Sequence, residues 1–375
     1  MGTTSTILQL TFLCSGLEPG RDGVGDYTRR LAAALIKQGH HCTVIAFNDR
    51  YISADEQSKQ IVDDTEVSIF RIAAAQPAQQ RFAAVKAHVQ QFDPQWISLQ
   101  FVPFGFHAKG LTFGLSKLLL SISKTAQWHL MVHELWVGMD KQSPAKHIAW
   151  GWLQKQLIRS LFRKLNPAVI ATQSLLYQNQ LGKMGFDASY LPLFSNIPVS
   201  GVKRSRSDRT VYLIIFGNIH FGAPVKQFAA EVAAHGQSAK IKYILKIVGH
   251  CGDEQAVWLK EWKSTGMDAE LVGQQSPDRI SAELINADIA ITTTPVTITD
   301  KSGSFAAMRE HDLPVISVSR PWHANGFEKM AVPDGVFYYQ KGNFKEFLNR
   351  AANRQHAKSN VDVLAKQLSS LLYHI

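Results

Sequence analysis

The chain has 375 residues, 45% of them hydrophobic and 19% charged, with a formal net charge of +10. That length allows two or three domains, each with its own core, and the composition excludes disordered, collagen-like and disulfide-scaffold classes. Three separated cysteines, Cys14, Cys42 and Cys251, make no Cys-x-x-Cys pair and no even framework, so a reducing compartment is expected.

An apolar run from Ile7 to Leu13 lies in a predicted strand over 6–13 and leads into Gly20-Arg21-Asp22-Gly23-Val24-Gly25. Tyr27, Leu31, Ala34 and Leu35 then fall on one face of a predicted helix, which Gly39 is positioned to end. Further strands are predicted over 43–47, 96–102, 127–133 and 168–173. All are rich in Val, Ile and Leu without strict alternation, as strands covered on both faces are. Asn196 to Arg209 has no period, holds Pro198, Gly201 and Lys203-Arg204-Ser205-Arg206, and is the predicted linker.

A second apolar run, Val211 to Phe216, sits in a predicted strand over 210–217 and leads into Gly217-Asn218. Strands over 243–249, 269–273, 289–294, 314–319 and 335–339 follow, alternating with helical patterns. From about Phe344 to Ile375 the pattern is helical, with Val361, Val363, Leu364, Leu368, Leu371 and Leu372 as its apolar positions. Strands alternating with helices predict an α/β fold of parallel sheets. The strand–glycine–helix opening occurs twice, so two Rossmann-like domains facing across a cleft are expected. Their spans are 1–195 and 210–355, with a linker at 196–209 and a final helix at 356–375 that caps the second domain or crosses back to the first.

Helix N-termini offer free N–H groups and partial positive charge to phosphate, which points to a nucleotide or nucleotide-sugar ligand. A basic balance suits a polyanionic ligand, an anionic membrane surface or nucleic acid. The densest cluster, at 203–206, is too short to argue for nucleic acid, and no such partner is expected. The start of the chain lacks a basic n-region and cleavage site, and no stretch of ~18 apolar residues appears, so a cytoplasmic location is expected. Residues 146–164 mix Trp150, Trp152, Leu153, Leu157, Ile158, Leu161 and Phe162 with Lys155, Arg159, Arg163 and Lys164. They suit either a helix covering the first sheet or a peripheral membrane contact, at the inner face of the membrane, for a lipid-linked acceptor.

Several motifs, in order and spacing, resemble the GT-B-fold glycosyltransferases, most of all their retaining family 4 group. They are Pro19-Gly20-Arg21-Asp22-Gly23-Val24-Gly25-Asp26-Tyr27, Val132-His133-Glu134, Phe216-Gly217-Asn218, Ile247-Val248-Gly249, Leu271-Val272-Gly273 and Lys301-Ser302-Gly303-Ser304-Phe305-Ala306-Ala307. The resemblance implies an acceptor-binding first domain and a donor-binding second one. It implies a metal-independent hexosyltransferase with no cofactor, moving a hexose from a UDP-sugar (UDP-glucose as first donor, GDP-mannose in place of a UDP-sugar as second) to a saccharide or lipid-linked saccharide in polysaccharide or cell-envelope biosynthesis. Many members carry two glutamates eight positions apart near the last motif; this chain has Thr299 and Ala307 there, with Asp300 and Glu310 as possible substitutes.

Gly23, Val24 and Gly25 permit close backbone approach to phosphate or sugar, and equally make a plain tight turn. Asp26 reads as a helix cap or a substrate contact. His133, past the end of a predicted buried strand, is expected to contact sugar, with Glu134 orienting it or capping the next turn; a histidine satisfied by nearby backbone is the other reading. Departing diphosphate needs cations and N–H donors, for which Lys226, Lys301 and the Ser302-Gly303-Ser304 helix start are the candidates beside Gly217 and Asn218, with Asp300 counted among the donor-binding residues as the substitute for a glutamate. The resemblance adds Gly249, Gly273, Gln274 and Leu284 around the base. No Asp-x-Asp or zinc-spaced cluster is present. A GT-B-shaped binding subunit without catalysis, or a UDP-sugar epimerase, are the competing functions.

Overall fold

The first apolar run forms β1 (Gln9–Cys14) in the computed structural model, which describes residues 7–202, 209–352 and 360–373. Two units are distinguished, Met1–Pro192 with Asn360–Ile375, and Leu193–Ser359. Unit 1 continues through α1 (Gly23–Lys37), β2 (His41–Asp49), β3 (Glu56–Val62), β4 (Thr65–Ala73), α2 (Ala78–Phe92) and β5 (Trp96–Phe101). It then runs through α3 (Pro103–Phe106), α4 (Leu115–Leu120), β6 (Gln127–Val132), α5 (Ala145–Leu165), β7 (Val169–Thr172), α6 (Leu175–Lys183) and β8 (Ser189–Tyr190). The eight strands lie in the order β3-β4-β2-β1-β5-β6-β7-β8, all parallel except β3.

The expected helix face is the buried one: Tyr27, Leu31, Ala34 and Leu35 all lie under 4% exposed. At its end, Gly39 N–H bonds to the Ile36 carbonyl and His40 N–H to the Leu35 carbonyl. This Schellman pair needs a left-handed residue, and Gly39 supplies it at φ 90°. No strand was expected between 47 and 96, yet β3 and β4 form an antiparallel hairpin there. Its turn, Asp63-Asp64, has φ of 45° and 60° at both positions. β3 reads Glu-Gln-Ser-Lys-Gln-Ile-Val and is largely exposed, a polar edge strand whose sequence lacks the apolar signal of its buried neighbours.

Unit 2 holds β9 (Thr210–Phe216), α7 (Val225–Ala239), β10 (Lys242–Val248), α8 (Glu254–Lys263), β11 (Asp268–Gly273), α9 (Pro277–Ile285) and β12 (Ile289–Thr292). A 3₁₀ turn over Val296–Lys301, α10 (Gly303–Glu310), β13 (Val315–Ser317), β14 (Val336–Tyr338) and α11 (Phe344–Ala352) complete it. Its sheet is parallel throughout, in the order β11-β10-β9-β12-β13-β14. β9 shows why no alternation was visible: Leu213 and Ile215 pack into one core cluster and Ile214 into another, on opposite faces.

The basic cluster at 203–206 lies outside the described residues. The helical pattern after Phe344 comprises α11 and the final helix α12 (Val361–Tyr373). α12 belongs to unit 1 and packs on α1, burying Leu364, Leu368 and Leu372. Gln38 Nε2 donates to the Asp362 carbonyl at 3.0 Å across that contact. No helix among the described residues is long and apolar enough to cross a membrane.

Candidate functional site

In an open α/β sheet ligands bind beyond the carboxyl ends of the strands, where strand order reverses direction. That point lies between β1 and β5 in unit 1 and between β9 and β12 in unit 2. The candidate residues divide between these two places. Cavities of about 240 and 450 Å³ lie elsewhere on the sheets and touch none of them.

In unit 1, the loop from Ser15 to Asp22 is held by the chain's own carboxylates. Asp22 caps α1, its Oδ1 accepting from Val24 and Gly25 N–H at 3.0 Å each. Those two N–H groups are therefore already satisfied and are not the expected seat for phosphate. Gly25 is required for another reason: a Cβ there would meet the Gly16 carbonyl oxygen at 2.6 Å. Gly23 has open space around its Cβ position and leaves the loop surface bare. Asp26 is not the cap. It stands in the first turn, accepts from Gly20 N–H at 3.2 Å and pairs with Arg29. Below the loop, buried Asp49 accepts from Leu17 N–H and pairs with Arg71, which also reaches Glu18.

His133 follows β6 and is buried. Its Nε2–H donates to Gln100 Oε1 at 2.9 Å, and its Nδ1 accepts from Gln173 Nε2 at 3.0 Å. Gln100 in turn donates to Ser98 Oγ, which meets His129 Nδ1 at 2.8 Å. Tyr27 of α1 packs edge-on against the His133 ring, 4.9 Å between centroids. Burial first, then the proximity of His129, pushes the His133 pKa down to about 3, so the ring is neutral. Both ring nitrogens are committed to glutamines, so the expected sugar contact through the imidazole is corrected: in this structure the ring positions two amides. Glu134 is different. It is half-buried, and its carboxylate has no hydrogen bond or ion pair among the described residues.

A cavity of about 130 Å³ opens near the carboxyl end of β2, lined by Phe47, Asn48, Arg81, Phe106 and Phe113 among others.

In unit 2, Gly217 ends β9 at φ 87°, and a Cβ there would lie 3.1 Å from Ser304 Cβ. The first loop and the start of α10 thus pack directly on each other. Ser302 caps α10, accepting from Phe305 N–H, and leaves the N–H groups of Gly303 and Ser304 at the open end of the first turn. Past Asn218, His220 N–H donates to Thr293 Oγ1 at 2.8 Å. Burial first, then the positive charges of Lys301 and Arg320, hold the His220 ring below its ordinary pKa. Arg320 lies along the same loop, since a Cβ on Gly222 would come within 3.5 Å of its stem. Lys301, Arg320, His220 and the α10 start therefore gather at the ends of β9, β12 and β13.

Other candidates are less well situated. Lys226 stands exposed in the first turn of α7, without an ion pair among the described residues. Gly249 N–H donates to the Gly273 carbonyl at 2.7 Å, and a Cβ on Gly249 would be 3.6 Å from Gly217 N. Those two glycines therefore border the site, and Gln274 beside them is exposed. Leu284 is a correction: it is fully buried in the core with Ile214 and Val248, with no surface for a base. Asp300 is also buried. Glu310 accepts from Ser195 N–H and so anchors the chain entering unit 2.

No protein-family model matches the chain, and no curated protein matches it. Solved structures do. The lipopolysaccharide outer core galactosyltransferase WaaB, in its apo form, matches over 97% of this chain and 99% of that one, at 13% identity and TM-score 0.54. HepE of Anabaena, in complex with UDP and glucose, matches over 98% and 100%, at 14% identity and TM-score 0.54. The catalytic domain of Starch Synthase IV from Arabidopsis thaliana, bound to ADP and acarbose, matches over 98% and 95%, at 12% identity and TM-score 0.52. The fold is GT-B.

On this GT-B fold several residues of the two switch points were missed in the sequence. Gln100 and Gln173 carried a readable signal: each is an amide in or just after an apolar strand, and a buried amide must find partners. His220 and Arg320 carried none, because only the fold brings the end of β13 beside the loop after β9.

Proposed function

We propose that the chain is a glycosyltransferase of the family 4 type. It moves a hexose, glucose as first choice, from a UDP-sugar to a saccharide or lipid-linked saccharide, with retention and without a metal, in polysaccharide or cell-envelope biosynthesis. The observation that carries this reading is the gathering of Lys301, Arg320 and His220 with the open first turn of α10 in unit 2 of a GT-B fold. Negative charge grows on the diphosphate as the sugar leaves, and pre-positioned cations and N–H donors stabilise that charge. Gly217, Asn218, Gly249, Gly273 and Gln274 are assigned to the nucleotide through their place around the same strand ends. Lys226 is assigned to the edge of the site.

On the unit 1 side we assign the contact with the transferred sugar or acceptor to the Glu134 carboxylate, with His133 as a positioning residue. Gly23 gives the acceptor an open approach, and Asp26 keeps the loop in shape. HepE holding UDP and glucose supports uridine as the first nucleotide to try, while Starch Synthase IV holding ADP keeps adenine in the comparison.

Thermal-shift binding with UDP, GDP, ADP and dTDP, each with and without EDTA, tests the reading. Ligand at a hundred times its Kd stabilises by about 2.7 kcal/mol. UDP alone should stabilise, with EDTA making no difference. Arg320→Ala should weaken UDP by about ten- to a hundredfold, the worth of a hydrogen bond to a charged group. Stabilisation by no nucleotide sinks the reading. Thr299 and Ala307, both fully buried where the resemblance implies glutamates, favour a second one: a binding subunit that holds a nucleotide sugar without transferring it. Slow release of UDP from UDP-glucose separates the two.

A further inference from the structure

Charge is divided unevenly along unit 1. Residues 1–93 carry nine Lys and Arg against ten Asp and Glu. Residues 94–186 carry ten against two, and the two acids are Glu134 and Asp140. Asp140 is buried and Glu134 half-buried, both in the loop after β6, so neither balances the outer surface. Most of the chain's positive excess therefore belongs to one segment, and α4 and α5 lie in it side by side.

α5 turns Gly151, Gln154, Ile158, Leu161, Phe162 and Leu165 inward. The opposite stripe has two halves. Ala145, Ile148, Ala149, Trp152 and Leu153 make its first half apolar, and Trp152 is 62% exposed. Arg163 and Lys164 make its second half cationic, with Arg159 and Ser160 completing a groove of about 350 Å³. Phe113 and Leu120 add exposed apolar surface at the two ends of α4, at 65% and 42%. Trp150, by contrast, points its indole N–H into the protein, onto the Lys109 carbonyl at 2.9 Å. The Lys155 ammonium is held over the Trp136 ring, 5.0 Å from its centroid, and its pKa is lowered by burial first, then by the charges of Lys183 and Arg159. Like charges are thus gathered here with no acid on the helix to answer them.

We propose that the outward face of α4 and α5 docks on an anionic lipid bilayer. Nucleic-acid faces pair cations with aromatic rings that stack on bases, whereas this face also exposes aliphatic Leu120, Ile148 and Leu153, which offer a base nothing to stack on. That pairing fits the apolar-and-polar boundary of a bilayer with negative headgroups. The short helix α3 follows the carboxyl end of β5 and leads on to α4, so a lipid-linked acceptor presented there is next to the unit 1 switch point. The proposal deepens the transferase reading by naming where such an acceptor is met, and rests on that reading for its purpose alone.

The test uses the full chain and large vesicles, either mixed phosphatidylglycerol and phosphatidylcholine or phosphatidylcholine alone, separated by flotation. The protein should float with the anionic vesicles, and salt should release it. Each cation near such a surface is worth roughly a fivefold change in partition, so Arg159→Gln/Arg163→Gln/Lys164→Gln together should cost on the order of a hundredfold. Trp152→Ser/Ile148→Ser should also weaken binding, with the salt dependence kept. Ile148, Trp152, Arg163 and Lys164 are exposed and Arg159 half-buried, and an unchanged thermal shift with UDP shows each variant folded. Failure to float, equal binding to neutral vesicles, or full binding by the triple variant overturns the docking proposal. If UDP still stabilises the protein in that case, the transferase reading stands; if vesicles bind and no nucleotide does, docking stands and the transferase reading falls.

Discussion

Acid should unfold unit 1 through the two buried imidazoles of the β6 region. His129 and His133 have pKa values of about 3 against an ordinary 6.5, with burial the main cause in both. The folded state keeps them neutral, while the unfolded chain takes a proton on each below 6.5. Their stabilising contribution is therefore complete above pH 6.5 and is lost progressively as pH falls from 6.5 toward 3. At a pH of about 5 the unfolded state gains roughly 2 kcal/mol from each, about 4 kcal/mol for the pair. His40, His88, His220 and His311 shift the same way but are less buried, so a variant must isolate the effect. His133→Gln keeps an amide donor toward Gln100 and cannot titrate. Urea unfolding across a pH series should show its stability falling less than the wild type's, by about 2 kcal/mol at a pH of about 5. Long-range ¹H–¹⁵N spectra of the wild-type imidazoles should show the neutral, Nε2-protonated form of His133 throughout that range. Parallel stability curves, or a His133 ring that titrates near 6.5, would refute the reasoning and reopen this histidine as a proton-transfer group near neutral pH.

Two further substitutions test corrected assignments. Asp22→Ala should cost about 1 kcal/mol, the usual worth of a helix cap, read by urea unfolding. Burial holds the Asp22 carboxyl above its ordinary pKa, so its ionised form is disfavoured in the fold, and Asp22→Asn, which keeps the cap without the charge, should cost nothing. Equal losses in both would mean that charge rather than capping matters here. Leu284→Ala should cost about 2–5 kcal/mol as a core truncation while leaving the Kd for UDP unchanged; a selective loss of nucleotide affinity at unchanged stability would return Leu284 to the site.

The strands were legible because burial on both faces writes itself into the sequence as unbroken Val, Ile and Leu, and all six strands of unit 2 lie within their expected spans or a residue of them. β3 was not legible, since an exposed edge strand needs no apolar residues and its turn uses two aspartates in place of the usual Asn-Gly. The glycine loops were legible as turns, but not what fills them. Whether the Val24 and Gly25 N–H groups meet a phosphate or Asp22 depends on side-chain geometry three residues away. His133 looked like a site residue because of its place at a strand end; its two partners, Gln100 and Gln173, are brought to it by neighbouring strands. The cluster of Lys301, Arg320 and His220 joins three separate loops, and only the strand order of unit 2 makes them neighbours.

α12 closes unit 1 from beyond unit 2 in the sequence, and this has a consequence at the ribosome. Unit 2 is complete once Ser359 has emerged, whereas unit 1, begun first, still lacks the helix that covers α1. Domains usually fold in the order in which they are made. Here the order of completion is reversed, and an apolar face of the first-made unit waits uncovered until α12 has been made. A stalled or truncated product lacking Leu364, Leu368 and Leu372 would present that face to chaperones and proteases.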